Sequence, residues 1–167
     1  MNDTPRQMVH FPIGDRLFNY RVAGIAIRDG RVLVCRADDD DFVMLPGGRV
    51  ELGETTTVAL AREIAEELHA AVGASRLVFT VEDFFSHRGR QIHELSAYYQ
   101  IELPPDFPYR AGGVCLETAD GEERLRFEWV EVHGGALDGV NLLPRWIRSR
   151  LAKLPADTYH LVMDERA

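Results

Sequence analysis

One stretch of this 167-residue chain restricts its fold more than any other. Between Gly47 and Leu68, five glutamates (Glu51, Glu54, Glu63, Glu66 and Glu67) fall in a glycine-bearing loop and the predicted helix that follows it. Glu63, Glu66 and Glu67 stand at i, i+3 and i+4, so on a helix they share an arc of roughly 100°. Val58, Ala61, Ile64, Ala65 and Leu68 cover the opposite side, which predicts a core face and a carboxylate face back to back. Like charges at this spacing repel by about 0.2–0.5 kcal/mol per pair. A solvated acidic surface is the ordinary explanation of such a face. Two features point elsewhere. Few lysines separate the acids, unlike a surface laced with ion pairs. A glycine-rich turn also precedes them, where backbone can approach a ligand closely. Clustered hard carboxylate oxygens suit Mg²⁺ or Mn²⁺, and such an ion would relieve the repulsion.

The same residues resemble the Nudix box, G-x5-E-x7-R-E-U-x-E-E-x-G-U, where U is a bulky aliphatic. Gly48, Glu54, Arg62, Glu63, Ile64, Glu66 and Glu67 match at the required spacing. The last two positions depart: His69 stands where the pattern has Gly, and Ala70 is a small residue for U. The missing glycine falls at the helix end, where a left-handed C-cap is often wanted. Leu45-Pro46-Gly47-Gly48 also resembles the approach to the box in this family. The box spans 48–70, and the family's domain would cover most of the chain.

The resemblance implies an α/β fold, an α/β/α sandwich with a mixed β-sheet. It also implies hydrolysis of a nucleoside diphosphate linked to another moiety. Mg²⁺ or Mn²⁺ held by the carboxylates would neutralise the phosphate charge and activate water. By the motif match, Glu66 and Glu67 are the first metal ligands. Glu63 is a further ligand or orients the water. A backbone carbonyl of Gly47 or Gly48 is a candidate for an additional ligand. Arg62 pairs with Glu54 or another box carboxylate in a structural role, because guanidinium and carboxylate match as a bidentate pair. Glu51 occupies a free position of the pattern and reads as solvated.

Outside the box, Glu94, Glu117, Glu122 and Glu123 are the candidates for a general base. Glu94 leads them as an extra ligand or base: it follows His93 on a strand, so the two side chains face opposite ways. His87 and His93 are weaker candidates for phosphate contact. Phe84, Phe85, Tyr98, Tyr99 and Trp129 read as core. Two other functions compete. Isomerisation of a small diphosphate would call for a cysteine–glutamate pair, which Cys35 and Cys115 are poorly placed to supply. A non-catalytic nucleotide-sensing module would typically have lost box acids, and this chain keeps them.

The remainder reads as one domain over 1–167, with an N-terminal arm at 1–18. Strands are predicted over Tyr20–Ile27 and Arg31–Arg36, joined by the hairpin signal Asp29-Gly30. Asp38–Asp41 reads as a solvated acidic loop, and Pro46-Gly47-Gly48 as a turn. The box helix runs from Thr55, its N-cap, to His69. Further strands cover 76–85, 91–103 and 125–132, with a long loop over 104–122. An amphipathic helix is expected over 141–154 and a terminal strand or docked tail over 159–163. Specificity is expected from 1–18, 84–94 and 104–122.

A net charge of −8 disfavours broad contact with nucleic acid. It leaves room for a small nucleotide-type substrate, since bound divalent cations invert the local sign. Two cysteines give no disulfide framework, and Cys35, in an apolar run, reads as a buried small residue. There is no signal-peptide pattern and no apolar stretch of membrane-spanning length, so a cytoplasmic location is expected. Homodimers are frequent among such proteins, although nothing in the sequence marks an interface.

Overall fold

The structure is a computed structural model that describes residues 6–38 and 40–166. Part of the arm (1–5), Asp39 of the acidic loop and Ala167 lie outside the described residues. The ordered elements are β1 (His10–Ile13), β2 (Arg16–Arg28), β3 (Arg31–Ala37), β4 (Gly47–Arg49), α1 (Thr56–Leu68), β5 (Ser75–His87), β6 (Arg90–Ile101), β7 (Val114–Asp120), β8 (Glu123–Glu131), α2 (Ala136–Gly139), a 3₁₀ turn (Arg145–Arg150) and β9 (Tyr159–Asp164). The sheet runs β7-β8-β3-β2-β6-β5-β9, with β1 and β4 also paired to β2. It is mixed: β2 with β6 and β5 with β9 are parallel, the rest antiparallel.

Alternation along the strands separates two apolar layers. Val22, Leu33, Ala97, Tyr99, Phe127 and Trp129 pack against Leu60, Ile64 and Leu68 of α1. Ile25, Val32, Val34, Val81 and Tyr98 face the other way, onto Leu137, Leu142, Trp146, Ile147 and Leu151. The expected α/β sandwich is therefore present, with short helical segments on its second face. No helix among the described residues is long and apolar enough to cross a membrane.

The path of β2 positions the site. Asp29 (φ 48°) and Gly30 (φ 71°) form the expected tight hairpin. Beyond it, β2 and β3 pair through only Ile27–Val32 and Arg28–Arg31. The two strands then separate. β3 continues along β8, while β4 takes its place beside β2, with Arg21, Val22 and Ala23 opposite Arg49, Gly48 and Gly47. The predicted Pro46-Gly47-Gly48 turn is thus the entry to a short strand. A Cβ on Gly47 (φ 145°) would lie 2.2 Å from the Val22 carbonyl oxygen, so this register requires glycine.

Three other expectations are corrected. Residues 104–122 are not one loop, because β7 lies within them and forms a two-residue hairpin with β8 at Gly121-Glu122. No continuous helix covers 141–154. Asn141 adopts φ 58°, a conformation that cannot continue a right-handed helix. Arg148 ties the bend by donating to the Leu142 carbonyl at 2.6 Å and to Asn141 Oδ1 at 3.0 Å. The core face of α1 is also rotated from that expected. Ala59, Leu60, Glu63, Ile64 and Leu68 are buried, while Val58, Ala61 and Ala65 are exposed. The rotation carries Glu63 inward, into space left by a glycine.

Candidate active site

Helix α1 is capped as the sequence predicts. Thr55 Oγ1 accepts from the Val58 N–H at 3.3 Å. His69 takes the left-handed C-cap (φ 52°, ψ 34°) and donates its N–H to the Ala65 carbonyl. Histidine therefore fills the pattern's glycine position without losing the cap. On its buried flank, α1 presents Glu63 against β4. A Cβ on Gly48 would fall 2.4–2.5 Å from all three carboxyl atoms of Glu63, so only glycine leaves room for that side chain.

Arg62 organises the acids. Its Nε and Nη2 donate to the two oxygens of Glu54 at 2.8 and 2.9 Å. Nη1 donates to Glu63 at 2.7 Å and to Glu66 at 3.3 Å, and Nη2 also reaches the Arg49 carbonyl at 3.0 Å. Glu51 is not solvated as expected: it is largely buried, pairs with Arg6 from the arm and lies 3.5 Å from Arg62. Arg6 also pairs with the half-exposed Glu66 at 3.0 Å. Glu67 takes a different partner, accepting from the Gly47 N–H at 3.0 Å.

Each carboxyl responds to its surroundings. Hydrogen bonds from Arg62 hold Glu54 below the usual range. Burial pushes Glu63 up, offset in part by Arg62. Burial pushes Glu67 up to about 8, with the Gly47 N–H opposing and the Glu63 charge adding. Glu63 and Glu67 are thus poorly solvated carboxyls that a bound cation would stabilise as anions. The donor set is all hard oxygen, the chemistry that Mg²⁺ or Mn²⁺ takes. Among the described residues no group of three or more His, Cys, Asp or Glu side chains is gathered to hold a metal; Glu63 and Glu66 turn to Arg62, and Glu67 turns to Gly47.

Glu63 and Glu67, but not Glu66, border a cleft of about 240 Å³ where β2 and β3 part. Arg21, Gly47, Gly48, Arg49, Glu63 and Glu67 line it, together with Cys35, Asp40, Phe42, Asp120, Glu123 and Leu125 among others. Thr118 Oγ1 donates to the Glu67 carbonyl at 2.8 Å, which fastens the β7–β8 hairpin, and with it Asp120 and Glu123, to the end of α1. Of the base candidates outside the box, Glu123 therefore reaches the cleft. Asp120 was not singled out in the sequence, although Asp120-Gly121 is a hairpin signal that marks this turn. Asp40, read as part of a solvated loop, lines the same cleft. Cys35 is half-buried rather than buried and also lines it. Burial, with Glu67 nearby, pushes its thiol up, so it is a poor nucleophile. His93 is packed between Phe84 (4.5 Å, stacked) and Phe18 (5.3 Å, edge-on), away from the cleft walls.

Glu94 stands apart from the box. It is buried on the sheet face opposite α1, where Asn19 Nδ2 donates to it at 2.6 Å and Ser96 Oγ at 2.8 Å. Asp83 lies directly across the β5–β6 pair from it, also buried, with one carboxyl oxygen lacking a hydrogen-bond partner. Burial first, and Glu94 second, push Asp83 up to about 6. The folded protein therefore keeps a proton on Asp83 at a pH where the unfolded chain has lost it. That contribution is complete below about pH 4 and is lost as pH rises through about 6. Asp83→Asn is expected to flatten the dependence of Tm on pH across this window and to raise stability at pH 8 by about 1–3 kcal/mol. Thermal melts of both proteins from pH 4 to 8 check it, and parallel curves would remove Asp83 as the cause.

Comparison with known proteins agrees with this geometry. A family model for the NUDIX domain matches residues 18–147. Over 62 residues, 36% of this chain, the sequence is 42% identical to a MutT-like protein of Streptomyces ambofaciens, and the match spans 40% of that protein's length. Among solved structures, the fold is similar to a mutator MutT protein from Bacillus halodurans, with TM-score 0.59 and 14% identity over 89% of this chain and 90% of that one. It is also similar to an ADP-ribose pyrophosphatase from Streptococcus suis, with TM-score 0.55 and 13% identity over 86% of this chain and 98% of that one. At such identities the structural likeness is one of fold. With the family model matched over 18–147, and with Gly48, Glu63 and Glu67 of the box lining one cleft, the chain belongs to the NUDIX domain family.

Proposed function

We propose that the protein is a metal-dependent pyrophosphohydrolase that cleaves a nucleoside diphosphate linked to another moiety. The observation that carries this reading is the placement of Glu63 and Glu67, poorly solvated and beside the Gly47-Gly48 backbone, at the head of an open cleft. Glu63, Glu66 and Glu67, with the Gly48 carbonyl, are the groups that would hold Mg²⁺ or Mn²⁺. When bound, the ion supplies charge neutralisation of the phosphate oxygens and activation of water.

The chain's own residues do the rest. Arg62 grips both oxygens of Glu54 and one oxygen of Glu63, which limits the orientations open to these carboxyls. The Gly47 N–H orients Glu67. Glu123 and Asp120, which also line the cleft, are the groups that would accept a proton from the attacking water. Similarity of fold to an ADP-ribose pyrophosphatase and to a UDP-X diphosphatase (TM-score 0.55, 16% identity) supports a small nucleotide derivative as substrate. A cytoplasmic location and a homodimer complete the proposal.

Initial rates on a panel of nucleoside diphosphate derivatives test it, with Mg²⁺, with Mn²⁺ and with a chelator. Turnover of at least one compound is expected with metal and none with chelator. Metal binding without turnover of any compound favours the alternative, a nucleotide-sensing module.

A further inference from the structure

Arg21 of β2 and Arg49 of β4 are direct partners in an antiparallel pair. Residues so opposed project from the same face with Cβ atoms about 5 Å apart, and like charges placed there destabilise the sheet. A carboxylate between them would cancel that cost. Among the described residues neither arginine forms an ion pair. By contrast, Arg6 and Arg62, the other arginines around the box, are both paired. Arg21 and Arg49 both line the cleft beside Glu63 and Glu67. Both guanidiniums thus feel nearby carboxyls, Arg21 those of Glu63 and Glu67 and Arg49 those of Glu63 and Glu94, but among the described residues neither is engaged in a direct ion pair.

The structure behind Arg49 is built rather than incidental. Arg49 Nε donates to Asn19 Oδ1 at 3.0 Å. Asn19 Nδ2 in turn donates to Glu94, whose second oxygen accepts from Ser96. Asn19, Glu94 and Ser96 are only 6%, 9% and 3% exposed. The Glu94 carboxylate fixes the Asn19 amide, and the amide holds the inner nitrogen of the Arg49 fork. Among the described residues the terminal nitrogens have no oxygen partner, Nη1 reaching only the Met8 sulfur at 3.9 Å. A neutral amide, not the carboxylate, touches the guanidinium, so its charge is oriented without being consumed.

We propose that Arg21 and Arg49 form a clamp for a phosphoryl group beyond the diphosphate held at the box, with Glu94, acting through Asn19, as its positioning residue. This deepens the hydrolase reading and rests on it for the identity of the reaction. It predicts preference for nucleotides with an additional phosphate over derivatives whose second moiety is uncharged. The additional phosphate has two sources, a third position in a linear chain or a substituent on the distal moiety. A guanidinium–phosphate contact is a charge-assisted hydrogen bond of the stronger kind.

The test uses binding as well as turnover. In chelator, wild-type protein is expected to bind inorganic triphosphate more tightly than pyrophosphate. Arg21→Met and Arg49→Met should each weaken triphosphate binding by about 10- to 100-fold and pyrophosphate binding much less. In turnover, each variant should raise KM for nucleoside triphosphates or distally phosphorylated nucleotides by much more than it raises the KM of an uncharged-sugar derivative. Which of the two anionic substrates loses more identifies the source of the phosphate. Glu94→Ala should reproduce the Arg49→Met shift in KM, and Glu94→Gln, which keeps an acceptor for Asn19, should largely restore it. A purely structural Glu94 would lower Tm and affect all substrates alike. Arg→Gln versions at both arginines guard against misfolding of one variant, with thermal melts confirming folded protein. Equal losses for both inorganic ligands, or no loss in either arginine variant, would overturn the clamp. If no nucleotide is hydrolysed while triphosphate binding still needs both arginines, the hydrolase reading fails and the clamp stands.

Discussion

Glu67→Gln is expected to reduce metal-supported turnover by about 100- to 1,000-fold, the usual effect of removing one group that stabilises developing charge. The folded protein should be at least as stable as its parent. Glutamine keeps a carbonyl oxygen for the Gly47 N–H, now bonded at 3.0 Å, so the α1–β4 contact survives. Only the charge is lost, and burial already disfavours that charge, as the rise to about 8 records. Rates at saturating Mg²⁺, beside thermal melts in chelator, separate the two effects. Glu66→Gln should lower turnover by a similar factor, although Glu66 is half exposed and shared between Arg62 and Arg6. Unchanged turnover in both variants would take the box out of the mechanism.

Arg62→Ala should have the largest effect on stability. Arg62, Glu54 and Glu63 are all largely buried, and removing one partner of a buried ionic group leaves uncompensated charge that costs about 3–5 kcal/mol. For a protein of this length that lowers Tm by roughly 10 °C. The effect has a defined pH dependence. Glu54 is held below its ordinary value by Arg62, so the pair's contribution is present above about pH 4.5 and is lost as pH falls through the folded value. The difference in Tm between parent and variant should therefore shrink in acid. Arg62→Lys keeps the charge but loses the fork that grips both Glu54 oxygens, and it should fall between the two. A variant as stable as the parent at pH 7 would show that the acids do not depend on this guanidinium.

What was legible in the sequence was local. The Thr55 cap, the box helix, the Asp29-Gly30 hairpin and the strand centres follow from short-range chemistry, and the spacing of the box acids identifies their family. What was not legible depends on how distant strands meet. Arg21 lies in an apolar-looking strand and Arg49 at a free position of the box pattern. Only the β2–β4 register makes them neighbours. Periodicity misplaces the phase of α1 because it counts Glu63 as polar, whereas a glycine on another element gives its carboxylate a buried place. The helix expected over 141–154 satisfied the apolar period, but Asn141 turns the chain first. Glu94 could be singled out on its strand, yet its partner Asn19 lies 75 residues away.

That distance recurs along the whole parallel pairing of β2 with β6, where Arg16 meets Gln91 and Ala26 meets Ile101. Everything between, the box included, is a loop that must close before those contacts form. Loop closure is entropically costly and is compensated only late, so folds of this kind assemble slowly and as a unit. The box segment is therefore not a portable cassette. Cut out at 48–70, it would keep its acids but lose the strand that opposes Gly48 and the core that seats its helix. A protein truncated before β6 should likewise retain the motif and have no cleft.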